Sequence, residues 1–122
     1  MAKSFIKSHQ WMEREGDVAY VGISEHASVE LGGVTYVEMP EVGRVLAAGE
    51  AFGSIESTKA VNELFTPIAG TVLEINSELE TTPEIVNDDP EGKGWIIKLG
   101  NLGATADLLT PEEYLEGLKK GN

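Results

Sequence analysis

The chain contains no cysteine. That single absence removes disulfides, thiolate zinc sites, iron–sulfur clusters and thiol nucleophiles together, and it fits a reducing compartment. Long apolar runs are missing too: the longest stretch without a charged residue, residues 64–73, is ten residues long and contains Pro67 and Gly70, so nothing reads as a membrane span. The opening residues 1–7 carry no apolar region of the kind a secretory signal needs, and a soluble intracellular protein is the expectation. Basic residues are scarce. Nine lysines and arginines face 21 acidic residues, leaving a formal charge of −12, while the charged fraction is an ordinary 25%. A surface field of one sign repels phosphate backbones and anionic lipid headgroups, so neither nucleic acid nor a membrane is an expected partner, and protein partners should present basic patches.

With 122 residues the chain is the size of one compact domain, residues 1–122. Fourteen glycines recur between short β-branched runs, the pattern of many strands joined by tight turns, so the class is mainly β. Residues 17–23, 33–39, 71–75 and 95–99 read as the clearest strands. In the last of these Trp95, Ile97 and Leu99 alternate with Lys98, which predicts one core-facing side. A short helix is expected near 24–31, from the cap residue Ser24 to the stop at Gly32 and Gly33. A second is expected near 111–120, where Thr110, Pro111 and Glu113 form a capping box and Lys119, Lys120 and Gly121 close the end. Tyr114, Leu115 and Leu118 are spaced to pack it against a sheet. One further turn around residues 83–87 has helical character. Residues 34–39 and 70–75 match weakly, which suits either two related half-sheets or two unrelated strands of similar propensity.

Mapping the charges says more than counting them. Between Arg44 and Lys93 stand ten carboxylates and one basic residue, Lys59. Residues 51–56 lead in and residues 62–66 lead out, so Ser57, Thr58, Lys59 and Ala60 read as a hairpin tip. Spacing alone favours a plain solvated lysine near Glu56 and Glu63, whose surface ion pairs would be worth roughly 0–1 kcal/mol each. The chemical alternative is a prosthetic arm in amide linkage, which needs an exposed lysine on a rigid scaffold without competing amines nearby.

At this point the residues resemble the H proteins of the glycine cleavage system, which are lipoyl carriers. The likeness runs through Ser8-His9-Gln10-Trp11, residues 21–27 and 37–43, Ile55-Glu56-Ser57-Thr58-Lys59-Ala60, residues 66–70, and residues 83–90 with Gly94-Trp95 following. It implies a barrel-sandwich hybrid of the lipoyl/biotinyl type, two small antiparallel sheets with a C-terminal helix. It also implies lipoate on Lys59, Glu56 and Gly70 as determinants for lipoate-attaching enzymes, and a groove for the loaded arm formed by Ser8, Gln10, Ile23, Glu30 and Glu63. Glu56 could equally be a solvated strand-end charge, and Gly70 a turn or bulge glycine needing positive φ. The family usually has glutamate where Gln10 stands, aspartate where Glu63 stands, and valine where Thr58 stands. Gln10 can hydrogen-bond a cationic cargo but cannot neutralise it.

The resemblance implies a non-enzymatic shuttle. Its arm would carry an aminomethyl group from glycine decarboxylase to a folate-dependent aminomethyltransferase and be reoxidised by dihydrolipoamide dehydrogenase. The expected state is a monomer, in the cytoplasm of a bacterium or in the mitochondrial matrix if this is a mature eukaryotic form. Rival readings are a lipoyl donor for other complexes, an unmodified interaction module of the same fold, and a biotinyl carrier, whose lysine usually lies between methionines. His9 and His26, seventeen residues apart and without a third ligand or a nucleophile, do not make a catalytic or metal site. His9 reads as part of an N-terminal strand, His26 as part of the short helix, and Trp11 and Trp95 as core anchors.

Overall fold

A computed structural model describes residues 3–119. Nine strands and four helices are found among them: β1 Lys3–Phe5, β2 Gln10–Glu15, β3 Val18–Ile23, α1 Glu25–Leu31, β4 Val34–Glu38, β5 Val45–Leu46, β6 Ala51–Ser57, β7 Val61–Phe65, β8 Gly70–Ile75, α2 Glu78–Thr81, α3 Ile85–Asp88, β9 Ile97–Gly100 and α4 Pro111–Lys119. Lys120 and Gly121, expected to close the last helix, lie outside the described residues. The strands form two antiparallel sheets that do not close into a barrel, one of six strands in the order β1-β2-β3-β9-β8-β5 and one of three in the order β4-β6-β7. The expected mainly β architecture is therefore what the chain adopts. The weakly similar segments 34–39 and 70–75 fall in different sheets, as β4 at the edge of the smaller and β8 inside the larger.

Inward-facing residues of both sheets make one core. Val21, Val72 and Leu99 from the larger sheet meet Val37, Phe52 and Leu64 from the smaller, all 2% exposed or less. Each such side chain contributes about 1.5–3 kcal/mol by leaving water. A second, aromatic cluster of Phe5, Trp11 and Tyr114 fixes α4 to the outer edge of the larger sheet. Phe5 and Tyr114 stack with centroids 4.5 Å apart, and Trp11 Nε1 donates to the Pro90 carbonyl at 3.0 Å.

Two local expectations are corrected. Trp95 does not share the core face of Ile97 and Leu99: β9 begins only at Ile97, because Ile96 N–H bonds Val21 O and Ile96 O accepts from Asn76, burying Ile96 outside the strand's alternation. Trp95 instead packs edge-on to Tyr20 at 5.3 Å, in the aromatic cluster. In α4 the sequence pattern places Tyr114, Leu115 and Leu118 together, but only Tyr114 is buried and Leu118 half-buried, while Leu115 is 56% exposed. Leu115 follows Tyr114 by a single residue, about 100° round the helix, which turns it away from the face that Tyr114 presents to Phe5. The helix itself starts as expected. Thr110 Oγ1 accepts from Glu113 N–H at 3.1 Å, and Glu113 Oε1 accepts from Thr110 N–H at 2.9 Å, a reciprocal capping box.

Candidate functional site

Lys59 stands at the tip of the β6–β7 hairpin, exposed to solvent. The last ladder pair below it is Glu56 with Val61, and the four residues above close on themselves. Ser57 N–H donates to Ala60 O at 2.9 Å, and Ser57 Oγ accepts from the amides of Lys59 at 3.1 Å and Ala60 at 3.2 Å. A hydroxyl that satisfies two turn amides stiffens the loop, the usual reason serine is favoured in turns. Among the described residues the ion pairs are Lys3–Glu13, Arg44–Glu50 and Lys98–Glu74, and His26 Nε2 stands 4.0 Å from Glu30 Oε1. None involves Lys59, so Glu56 and Glu63 do not tie it down.

The tip also leans on the turn between α1 and β4. Thr58 N–H donates to Gly33 O at 3.2 Å. The lysine stem runs along the end of α1: a Cβ at Gly32 would sit 3.5 Å from Lys59 Cε and 3.9 Å from Nζ. Gly32 itself ends the helix with φ 73° and ψ −155°, a backbone conformation that glycine takes at little cost. Asn87, on α3, holds this turn from the far side. Its Oδ1 accepts from Val34 N–H and its Nδ2 donates to Gly32 O, both at 2.8 Å. In the sequence Asn87 stands out only as the end of the turn at residues 83–87 and as part of the matching block 83–90. The signal that could have singled it out is an amide side chain next to the apolar pair Ile85 and Val86 in a turn with helical character.

Beside the hairpin lies a cleft of about 580 Å³. Its walls come from the β1–β2 turn, the end of β3, α1 and the outgoing strand β7. All five residues proposed for an arm groove, Ser8, Gln10, Ile23, Glu30 and Glu63, line it. Ile23, Leu31 and Leu64 give it an apolar floor, and Glu30 and Glu63 put two exposed carboxylates at its walls. Gln10 is 3% exposed and its amide is already engaged: Oε1 accepts from Ser8 Oγ at 2.6 Å, and Nε2 donates to Ser8 O at 3.0 Å. The negative charge available in the cleft is therefore that of Glu30 and Glu63.

Glu56 and Gly70 stand apart from that cleft. Glu56 is half-buried in β6, opposite Tyr36 and Val61. Gly70 opens β8 in the larger sheet, opposite Leu46. Positive φ is not what requires glycine there, since Gly70 is not among the residues that adopt it. Space is: an added Cβ would lie 2.9 Å from Gly100 O and 3.1 Å from Leu99 Cβ.

Sequence separation hid one cluster. His9 lies in the turn before β2 rather than in a strand, and its φ of 76° is left-handed, a conformation rare outside glycine. Its ring faces His26 of α1 with centroids 5.1 Å apart, and both rings line the cleft. His9 Nδ1 shares a hydrogen bond with Tyr114 Oη at 2.7 Å, and that hydroxyl shares another with Ser24 Oγ at 2.6 Å. Ser24 Oγ also accepts from Ala27 N–H, capping α1. Burial, with His26 adding to it and Glu30 opposing, holds His9 below the ordinary histidine range. Burial pushes the Tyr114 hydroxyl up. One chain of hydroxyls and imidazole thus links α4, α1 and the cleft.

Comparison with known proteins gives one answer throughout. The family model for the glycine cleavage H-protein matches residues 3–121. A glycine cleavage system H protein of Rubrobacter xylanophilus is 50% identical over 116 residues, covering 95% of this chain and 91% of that protein. One of Bacteroides thetaiotaomicron is 48% identical over 112 residues, covering 90% of this chain and 89% of its own. The crystal structure of a glycine cleavage system H protein from Mycobacterium marinum superposes with a TM-score of 0.92 at 32% identity, covering 97% of each chain. On this family match, these identities and this superposition, the chain belongs to the glycine cleavage H-protein family.

Proposed function

We propose that this chain is the lipoyl-bearing shuttle of a glycine cleavage system, with lipoate in amide linkage to Lys59 Nζ. The observation that carries the reading is a solitary, exposed lysine with no ion-pair partner among the described residues, on a cross-braced hairpin tip beside a cleft. The residues present suit the group. At about 580 Å³ the cleft falls within the roughly 300–1,000 Å³ of small-molecule sites, and it combines an apolar floor with a few polar walls. Bound there, lipoate would supply a disulfide that is reduced as it accepts a one-carbon amine fragment and is later reoxidised.

The chain's own groups have separate tasks. Acylation removes the charge of Lys59 and takes the formal net charge from −12 to −13, leaving residues 45–92 without a cation. Ser57 and the Gly33 carbonyl hold the tip still, which confines the arm to a small volume and raises its effective concentration at a docked enzyme. Ile23 and Leu64 exclude water from a retracted arm, and Glu30 and Glu63 favour a cationic cargo over a neutral one. Glu56 and Gly70 are proposed as features that lipoate-attaching enzymes meet, Glu56 directly and Gly70 through the sheet it keeps closed. Glycine decarboxylase, a folate-dependent aminomethyltransferase and dihydrolipoamide dehydrogenase are the proposed partners.

Reconstitution tests the reading. Purified glycine decarboxylase should exchange the glycine carboxyl with bicarbonate in the presence of the lipoylated protein, and the exchange should vanish with Lys59→Arg. Equal exchange with both proteins would refute it.

A further inference from the structure

The far flank of α1 carries a second concavity, a groove of about 470 Å³ between α1 and α4. Phe5 and Tyr114 form its floor, and Val29, Leu115 and Leu118 its sides. Val29 is 72% exposed and Leu115 56%, so two large aliphatic side chains from two helices face solvent in one depression. Apolar side chains scattered singly over a surface are ordinary, but a pair converging in a concavity over an aromatic floor has the make-up of an interface anchor.

The charge around it is one-sided. Glu25 and Glu91 line the groove, and among the described residues no lysine or arginine does. Glu91 is not a freely swinging acid, because its Oε2 accepts from Glu25 N–H at 2.9 Å. The groove also abuts the candidate site: His26 lines both cavities, and Lys59 rests along the C-terminal end of the same helix.

We propose that this groove docks a surface segment of a glycine cleavage enzyme that presents a large apolar side chain flanked by lysine or arginine. This rests on the carrier reading, and it adds where an enzyme takes hold. The apolar side chain fills the space between Val29 and Leu115, and the flanking cations meet Glu25 and Glu91. Such an enzyme grips α1 on one flank while the arm leaves the cleft on the other, so a contact on α1 is made close to the arm it must capture. Apolar burial supplies the affinity, and the acidic rim selects the partner and speeds the encounter.

Val29→Ser and Leu115→Ser test this, since both side chains are exposed and neither contributes to the core. In the exchange assay with glycine decarboxylase, the double variant in its lipoylated form should raise the KM for the carrier about tenfold with kcat within about twofold of wild type, the loss expected of an interface anchor. A KM within about twofold of wild type overturns the proposal. A second measurement does not depend on glycine chemistry: ¹⁵N-labelled protein is titrated with a synthetic peptide bearing Leu-Trp between lysines, and with a control in which glutamates replace the lysines. Amide shifts at Val29, Leu115 and Leu118 with the lysine peptide alone, lost in the double variant, support the groove. Shifts elsewhere, or equal shifts with both peptides, refute it. A concentration-dependent dimer abolished in the double variant would assign the groove to a second copy of the chain and also refute it. Absence of exchange with the wild-type protein would count against the carrier reading, while the peptide titration still decides the groove.

Discussion

Replacing Asn87 by alanine strips a clamp from the turn that supports the arm-bearing hairpin. Two backbone groups lose their partners, the Val34 N–H and the Gly32 carbonyl, each held at 2.8 Å by the Asn87 amide. Val34 is 3% exposed, so its amide has no ready access to water, whereas the half-buried Gly32 carbonyl can be partly rehydrated. An unsatisfied buried backbone group costs about 1–3 kcal/mol, so the expected loss for the two is about 2–4 kcal/mol. For a chain of this length that is a fall in Tm of roughly 8–16 °C. Urea titration followed by the fluorescence of Trp11 and Trp95 measures the free energy directly. A site effect should accompany it: Thr58 N–H bonds Gly33 O, so a loosened turn reaches the hairpin tip. Lipoate attachment to Lys59 should slow even at a temperature where the variant is fully folded. A loss under about 1 kcal/mol with unchanged attachment would refute the clamp.

Gly70→Ala forces a methyl against Gly100 O and Leu99 Cβ, and should cost about 1–3 kcal/mol by overpacking. Lipoate attachment per folded molecule should be unchanged; a specific loss of attachment at full folding would instead give Gly70 a direct recognition role. On acidification, His9 takes up a proton in the unfolded chain from its ordinary value of 6.5, while the folded protein resists until a lower pH. The unfolded state then binds more protons, so stability falls as pH drops from 6.5 through the depressed folded value and is lost no further below it. His9→Asn, which tolerates the left-handed backbone, should flatten that slope in chemical denaturation; an unchanged slope would place the sensitivity elsewhere. Thr110→Ala removes the cap of α4 and should cost about 1 kcal/mol by thermal melt, with no effect on lipoate attachment.

Legibility in the sequence followed the range of the interaction. Local rules gave α1 between Ser24 and Gly32, the capping box of Thr110 and Glu113, and the hairpin around Lys59, since each rests on residues within a few positions of one another. Short edge elements such as β1 and β5 left no pattern long enough to read, and α2 was hidden among polar residues. Leu115 and Trp95 lie outside the contacts their spacing predicts: Leu115 is one residue, about 100°, round the helix from Tyr114, and Trp95 precedes the strand whose alternation begins at Ile97. The cleft was legible only through family resemblance. Its walls are set by separate elements, and no local rule brings Gln10, Glu30 and Glu63 together. The facing of His9 and His26 across seventeen positions had no sequence signal at all.

The central claim is that Lys59 carries the arm. Intact mass of the protein purified from a lipoate-sufficient native source, followed by peptide mapping, tests it most directly. The molecule should be heavier than the bare chain by one lipoyl group, mapped to Lys59, with the increment absent in Lys59→Arg. A wholly unmodified native protein, or a lipoyl group on any other lysine, would contradict it.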